Sequence, residues 1–346
     1  MRQAQFLLVD VGGTFCRFGV GGSQEPEILE HQIVRVQDYP SFDDALDHYL
    51  SQSHYRPGDL RAASIAIAAP VESDVTCLMN SSWQISHQSL MRRFHFDQVE
   101  LINDFEALAW SLKSLNGLSW RSLFNQFNVV EATDKNILVL GPGTGLGVAA
   151  LMNARGPTGQ RLGSVVCASE AGHASYAPID DVDIELLQYA RRQYSRVSVE
   201  RVLSGAGLAL LYEFFAARAG QGRSLKTPAE VVDGAETGDD PIALQAVQKF
   251  LENLGSFAGD CALHFGAFGG VFLGGGIAPR LQRALAKSQF IERFCAKGRL
   301  APILGRTPVS LITDDHATLR GALMSLRSKV AQEDRVPVSP PRRMTG

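Results

Sequence analysis

The apolar positions along the chain form short runs of strand length, which alternate with segments of helical spacing. The first three runs follow one another closely enough to form a meander, and the alternation with helices predicts an α/β fold. The predicted strands cover 6–11, 15–20, 27–36, 64–71 and 98–102, and a second block follows at 136–151. The predicted helices cover 41–52, 105–115 and 241–265.

Two segments depart from this alternation. The run at 64–71 is too uniformly apolar for a strand with one wet face, so we expect both of its faces to be buried. The segment 331–346 has three prolines and no apolar periodicity, so we expect it to be disordered.

Two glycine-rich turns interrupt apolar strands in a similar way. Aligning Thr14 with Thr144 sets VDVGGTFCRFGV against VLGPGTGLGVAA, which suggests an internal duplication. Glycines allow positive φ and close approach of a ligand, and successive N–H groups form an anion site. Gly12, Gly13 and Thr14 can therefore cradle phosphate, and Asp10 can hold Mg²⁺ through water. Each turn taken alone is equally consistent with an ordinary hairpin. The sequence has neither a Walker loop nor G-x-G-x-x-G opening a helix, which disfavours P-loop and dinucleotide folds.

Polar side chains also occur where the apolar runs end. Asn103 and Asp104 lie where a strand passes into a helix, a usual position for active-site groups, although Asp104 is equally suited to cap that helix. Glu170 and His173 lie three apart in a glycine-containing loop that makes a poor metal site. Glu200 follows a short apolar run and also suits the start of a helix. Together these side chains are of the kind that binds a polyol through directional hydrogen bonds.

Composition narrows the class of partner. The 346 residues are 45% hydrophobic and 20% charged, enough for about two domains. A net charge of −3 provides no broad basic face for nucleic acid and no polybasic membrane patch. Strand-like sequence starts within a few residues of Met1, so we expect no leader peptide, and no apolar run approaches the roughly 18 residues of a membrane span. Five scattered cysteines without a C-x-x-C motif argue against disulfides or a zinc knuckle. We therefore expect a cytoplasmic protein whose partners are small molecules or protein.

The set of motifs resembles that of a bacterial glucokinase of the hexokinase, actin and Hsp70-like ATPase superfamily. The matching segments are DVGGT (10–14), INDF (102–105), GTGLG (143–147), E-x-G-H (170–173), ERVLSG (200–205) and GGVFLGGGIAPR (269–280). The resemblance implies a two-domain ribonuclease H-like (actin-like ATPase) fold with a cleft between the domains. It implies a small α/β domain at 1–110, completed by a helix at 316–328, and a large α/β domain at 111–315.

The resemblance further implies ATP-dependent phosphorylation of glucose at the 6-hydroxyl, with ATP and Mg²⁺, in a homodimer. Asp104 is then the catalytic base. The implied glucose contacts are Asn103, Asp104, Glu170, His173 and Glu200. The implied ATP contacts are Asp10, Gly12, Gly13, Thr14, Gly143, Thr144, Gly145, Gly275 and Gly276.

Several positions depart from the family pattern. Phe15 stands where the family usually has Asn, Met79 and Ser81 flank Asn80 in place of T-N-H, and Ala168 and Ser169 replace Pro-Gly. These changes leave the exact sugar open, so a kinase for another hexose or an amino sugar is an alternative. A catalytically weak sugar-sensing homologue is a second alternative. It would require the loss of Asp10 or Asp104, and both residues are present. The repressor/kinase (ROK) family is disfavoured because its cysteine-rich zinc motif is absent after His173.

Overall fold

The computed structural model describes residues 5–23, 27–69, 71, 74–78, 82–117, 119–128, 132, 134–221 and 225–333. The chain divides into two compact units. Unit 1 comprises Met1–Ser114 and Thr318–Gly346, and unit 2 comprises Leu115–Ala317. Within the described part of the chain, none of the helices is long and apolar enough to cross a bilayer.

Unit 1 is built on a five-stranded sheet in the order β3-β2-β1-β4-β7. Its strands are β1 Gln5–Val11, β2 Phe15–Gly22, β3 Ile28–Arg35, β4 Leu60–Ile67 and β7 Gln98–Asn103, and a small hairpin pairs β5 Val75–Cys77 with β6 Gln84–Ser86. The first three strands form the predicted antiparallel meander, and β4 and β7 run parallel to β1.

Helices cover the two faces of this sheet because the side chains of each strand alternate between the faces. Leu7 and Val9 of β1 pack in one cluster with the helix α1, Phe42–Gln52. Phe6 and Leu8 pack in another with helix Ala317–Glu333, which we call the returning helix. The other helices of the unit are α2 His87–Phe94 and α3 Asp104–Ser111.

The burial of β4 confirms the prediction that both of its faces are covered, although its bounds differ. The strand begins at Leu60 and ends at Ile67, and seven of its eight residues are buried. Its earlier end has a local cause, since the amide of Ala69 turns back to the carbonyl of Ile67 at 2.8 Å. Pro70 lacks the N–H group that continued pairing needs.

Two helical predictions also need correction at their ends. The helix predicted at 105–115 is α-helical only over Asp104–Ser111, and the 3₁₀ segment that follows, Leu112–Gly117, is interrupted by a kink at Ser114. The helix predicted at 316–328 extends to Glu333, so residues 331–333 belong to it rather than to the predicted disordered tail. The prolines that suggested disorder begin only at Pro337, and residues 334–346 lie outside the described part of the chain.

Unit 2 contains a six-stranded sheet in the order β11-β10-β9-β12-β13-β8. Its strands are β8 Trp120–Phe124, β9 Ile137–Pro142, β10 Leu146–Arg155, β11 Arg161–Ser169, β12 Gly270–Leu273 and β13 Val309–Ile312. The strands β9 to β11 form an antiparallel meander, and β12 and β13 continue the sheet in parallel. Both units thus start from the same arrangement of strands, in agreement with the suggested duplication. The antiparallel edge strand β8 was not predicted.

The helices of unit 2 include the long helix predicted at 241–265, which the structure places at Pro241–His264. It begins there because Asp240 Oδ1 accepts hydrogen bonds from the amides of Ile242 and Ala243, at 2.9 and 3.1 Å. In chain order the helices are α4 Asp181–Ala190, α5 Gly205–Arg218, α6 Pro228–Thr237, α7 Pro241–His264, α8 Gln282–Leu285, α9 Phe290–Cys295 and α10 Ala301–Leu304.

Candidate functional site

The carboxyl ends of three parallel strands lie along one edge of the unit 1 sheet. Val11 of β1 pairs with Ile67 of β4, and Ile67 pairs with Asn103 of β7. Asp10 precedes Val11 by one residue, and Asp104 follows Asn103. The structure therefore brings these predicted residues to the same sheet edge, where α/β folds commonly bind ligands.

Asp10 has a partner that the sequence analysis missed. Arg17 lies directly opposite on β2, and its Nη1 donates to Asp10 Oδ2 at 3.1 Å. Burial raises the pKa of Asp10, and the guanidinium of Arg17 opposes that rise. The signal was present in the sequence, because counting outward from a hairpin turn at 12–15 pairs residue 10 with residue 17.

The tip of the first hairpin is held by its own backbone. The Gly12 amide donates to the carbonyl of Phe15 at 2.9 Å, and the Val36 amide donates to the carbonyl of Thr14 at 3.0 Å. Gly13 and Thr14 are exposed. Neither tip glycine has positive φ, so the turn does not use the left-handed conformation that glycine allows. The glycines instead leave the backbone of the tip uncovered by side chains.

Asn103, rather than Asp104, is the residue that caps α3. Its Oδ1 accepts from the amides of Phe105 and Glu106, at 2.9 and 3.3 Å. Asp104 is the first helical residue, and its own Oδ1 accepts from Phe105 at 2.9 Å. Asn103 therefore provides most of the capping that was considered for Asp104. The Asp104 carboxylate lies at the helix N-terminus, where the helix dipole favours its negative charge.

The second hairpin tip lies at the N-terminus of α5. The Gly143 amide donates to the Gly145 carbonyl at 2.8 Å, and the Gly205 amide donates to the Gly143 carbonyl at 2.9 Å. Thr144 is exposed between the two glycines. Here too the tip glycines have no positive φ. Hairpin amides beside a helix N-terminus suit an anion such as phosphate.

The segment that follows β12 lies against this hairpin. Gly275 has φ +76°, and a Cβ there would come within 2.6 Å of the Pro142 carbonyl oxygen. The Ile277 amide donates to the same carbonyl at 3.1 Å. Gly276 is exposed, with open space around its Cβ position. The structure thus places the predicted phosphate and adenosine motifs of unit 2 side by side.

Leu146, the first residue of β10, is the point where the two predicted sugar segments of unit 2 meet. Glu200 Oε2 accepts from the Leu146 amide at 2.9 Å, and a Cβ on Gly145 would lie 2.5 Å from that oxygen. On the other side, a Cβ on Gly172 would lie 2.3 Å from the Leu146 carbonyl oxygen. At Gly172 the obstructing atom is backbone, so only glycine fits, whereas a Cβ at Gly145 would have to displace the Glu200 carboxylate. The predicted phosphate hairpin and both predicted sugar segments therefore converge at Leu146.

Glu170 and His173 extend from a 3₁₀ turn, Ala171–His173, with their side chains mostly exposed. Their Oε2 and Nε2 atoms are 3.7 Å apart. Ser169, one of the departures from the family pattern, shapes this turn because its Oγ accepts from the Ala171 amide at 3.1 Å. Arg196, which the sequence analysis missed, donates to the His173 carbonyl at 2.8 Å.

The other departures from the family pattern are Phe15, Ala168, Met79 and Ser81. Phe15 is exposed at the start of β2, with the guanidinium of Arg35 6.0 Å from its ring centre. Ala168 pairs with Ala149 in the β10–β11 ladder. Met79 and Ser81 lie outside the described residues.

Comparison with known proteins gives a consistent result. A family model described as Glucokinase matches residues 7–329. The glucokinase of Caulobacter vibrioides (strain NA1000 / CB15N) is 37% identical over 324 residues, which cover 92% of this chain and 94% of that protein. The "Bifunctional protein glk" of Burkholderia pseudomallei (strain 1710b) is 36% identical over 326 residues, covering 94% of this chain and 49% of that protein. The chain therefore spans about half the length of this second relative.

A solved structure supports the same conclusion for the fold. The glucokinase from an Antarctic psychrotroph has a TM-score of 0.79 and 35% sequence identity, covering 94% of this chain and 99% of that one. The predicted α/β fold of the ribonuclease H-like, actin-like ATPase type is thereby confirmed.

Proposed function

The chain belongs to the glucokinase family, and from this we propose that it transfers the γ-phosphoryl group of ATP to the 6-hydroxyl of glucose, forming glucose 6-phosphate. One observation carries the proposal. The backbone of Leu146 joins the phosphate hairpin of unit 2 to the Glu200 carboxylate and to the 170–173 turn. Leu146 thus contacts the proposed sugar ligand Glu200 and directly follows the proposed phosphate hairpin.

We assign the sugar contacts to the five residues predicted from the sequence. Asn103 and Asp104 belong to unit 1. Glu170, His173 and Glu200 belong to unit 2. Carboxylates and an amide can accept from and donate to several hydroxyls at once, which fixes the orientation of a polyol.

ATP is assigned to the two hairpins and the glycine segment after β12. The exposed tips at Gly13–Thr14 and at Thr144 offer backbone and hydroxyl donors to the phosphates. Gly275 and Gly276 would lie against the adenosine. The space beside Gly276 is open, so the nucleoside can approach its backbone there.

Asp10 is chemically suited to accompany a magnesium ion. Mg²⁺ in nucleotide sites takes one or two carboxylates together with substrate phosphates and several waters. Among the described residues, no group of three or more His, Cys, Asp or Glu side chains is placed to hold a metal by itself. We assign the carboxylate of Asp10 to the ion, acting through water. When bound, the ion neutralises negative charge on the phosphates.

Asp104 is assigned as the general base. Phosphoryl transfer has a loose, anionic transition state, so the enzyme gains most from positioning, and the proton of the attacking hydroxyl leaves late. The amide of Phe105 holds the Asp104 carboxylate in place at 2.9 Å. Asn103 fixes the start of the same helix, and its Nδ2 donates to the Ala69 carbonyl at 3.4 Å.

A kinase for another hexose or an amino sugar is the second candidate. The observation that favours it is the change at 168–169, because Ser169 shapes the turn that carries Glu170. A sugar-sensing homologue without turnover is less consistent with the retained carboxylates of Asp10 and Asp104. A homodimer and a cytoplasmic location are further proposals, and both rest on the family.

An assay that couples ADP formation to NADH oxidation, run with ATP over glucose, mannose, fructose, galactose and glucosamine, tests the function. We expect the highest kcat/KM with glucose. A higher value with another sugar would establish the second candidate. Sugar-independent ADP formation, or none with any sugar, would refute the proposed function.

A further inference from the structure

Tyr176 lies three residues beyond the predicted sugar ligand His173, and its hydroxyl points into the core of unit 2. Its side chain is buried, and the hydroxyl donates to Asn253 Oδ1 of α7 at 3.0 Å. Burial, and then the charge of nearby Asp183, raise the pKa of Tyr176. The hydroxyl therefore stays protonated and acts as a donor.

Asn253 passes this contact on to a buried carboxylate. Its Nδ2 donates to Asp183 Oδ1 of α4 at 3.1 Å and to the Lys249 carbonyl at 3.1 Å. Asp183 Oδ2 in turn accepts from the Ile179 amide at 3.2 Å. Asn253 and Asp183 are 4% and 1% exposed, so a lost partner cannot readily be replaced by water.

Charged groups fix the far end of this network. Lys249, also buried, lies 3.0 Å from Asp180 Oδ2, 2.7 Å from Glu252 Oε2 and 3.6 Å from Asp183 Oδ1. Arg293 of α9 donates to Asp180 as well, at 2.5 Å. Helices α4, α7 and α9 are thus joined by hydrogen-bonded charges, which form a rigid support.

The backbone of Tyr176 connects this support to both sugar segments. The Tyr176 amide donates to the Val197 carbonyl at 3.0 Å, and the Val199 amide donates to the Ala174 carbonyl at 2.9 Å. Residues 174–176 and 197–199 therefore form a short two-stranded pair, with a bridge between Ser175 and Ser198. His173 directly precedes one side of the pair, and Glu200 directly follows the other.

We propose that Tyr176 is a positioning residue that holds this short pair, and with it His173 and Glu200, against the helical core through its bond to Asn253. The inference rests on the proposed function for the meaning of the two loops. The Tyr176 hydroxyl adds one directional hydrogen bond to the packing contacts of the aromatic ring. This bond fixes the distance between the two-stranded pair and α7.

The test compares Tyr176→Phe with a matched variant, Tyr212→Phe. Tyr212 is also buried in unit 2, and its hydroxyl donates to Asp240 Oδ2 at 3.0 Å, outside the pair. Both changes remove one buried hydroxyl with an acceptor on another element. Their effects on overall stability should therefore be similar, and their effects on the pair should differ.

Amide hydrogen exchange of the full chain without sugar measures the pair directly. We expect Tyr176→Phe to accelerate exchange at residue 176 and Val199, whose amides bond across the pair, by about 3- to 10-fold, the range set by an ordinary hydrogen bond. Exchange there stays at the wild-type rate in Tyr212→Phe. The KM for glucose rises in Tyr176→Phe alone, while the KM for ATP is unchanged in both variants.

Equal acceleration at the pair in both variants would overturn the proposal, as would acceleration spread evenly over α7 and β9. A rise in the KM for ATP equal to that for glucose would also overturn it. Failure of the wild-type protein to phosphorylate glucose would refute the proposed function instead, and the exchange measurement would still decide the role of Tyr176.

Discussion

Replacing Gly145 by Ala should displace the Glu200 carboxylate without unfolding the protein. The φ of Gly145 is not positive, so the backbone accepts alanine. The new Cβ would lie 2.5 Å from Glu200 Oε2 and 3.3 Å from its Cδ. The atoms in the way are the flexible end of a side chain, so the carboxylate can move while the backbone stays.

The size of the effect follows from these distances. Ordinary contact begins near 3.4 Å, so the oxygen must retreat by about 0.9 Å. Its bond to the Leu146 amide is now 2.9 Å and would stretch beyond hydrogen-bonding range. A hydrogen bond to a charged group contributes about 1.5–3 kcal/mol. If that bond holds Glu200 in place for glucose, kcat/KM for glucose should fall by roughly tenfold to a hundredfold.

Steady-state kinetics on Gly145→Ala, with glucose and ATP varied in turn, measures this fall. Gly143→Ala is the matched control, because a Cβ there meets nothing closer than the Gly276 nitrogen at 4.0 Å. The control should raise the KM for ATP, since its methyl group faces the proposed phosphate site, and leave the KM for glucose near the wild-type value. The thermal midpoint of Gly145→Ala should stay within about 4 °C of wild type. A wild-type KM for glucose in Gly145→Ala would refute the assignment of Glu200.

Three further outcomes are expected. Asp104→Asn should lower kcat by about two to four orders of magnitude in a coupled assay, with circular dichroism unchanged; near wild-type turnover would remove Asp104 as the base. Glu170→Gln should raise the KM for glucose far more than that for ATP, and equal rises would contradict a direct sugar contact. Burial alone would raise the pKa of Asp180, but the Asp183 amide, Lys249 and Arg293 lower it to about 2. Because its folded pKa lies below the unfolded value, its stabilisation is present above about pH 4 and is lost as the pH falls toward 2. Urea unfolding at several pH values should show a smaller acid loss in Asp180→Asn, by about 1 kcal/mol after allowance for solvent screening; identical pH profiles would argue against this ion cluster.

Features with a local cause could be predicted from the sequence. The hairpins around 12–14 and 143–145 follow from apolar alternation broken by glycine and threonine. The strand end at Asn103 follows from an apolar run that stops at polar residues. The long helix at Pro241–His264 follows from apolar spacing, and its start from the N-cap at Asp240.

Features that depend on contacts between distant residues could not be predicted from the sequence. The contact between Leu146 and Glu200 joins residues 54 apart in the chain, and no periodic pattern marks such a pair. Tyr176 resembles any apolar core residue until its partner Asn253, 77 residues later, is known. Residues 331–333 were predicted to belong to the disordered tail but belong to the returning helix. This three-residue error has a simpler origin, since composition identifies disorder only over windows of several residues.

The returning helix also has a consequence for how the protein is made. The apolar side chains of Phe6 and Leu8 are covered by Leu319 and Leu323, which follow the whole of unit 2 in the chain. At a translation rate of about 5–20 residues per second, the roughly 200 residues of unit 2 take about 10 to 40 seconds to synthesise. Unit 2 is continuous and can complete its core during that time, whereas one face of the first sheet stays uncovered on the ribosome. The nascent chain therefore exposes an apolar sheet face until the returning helix has emerged, and chaperones can bind that face during this interval.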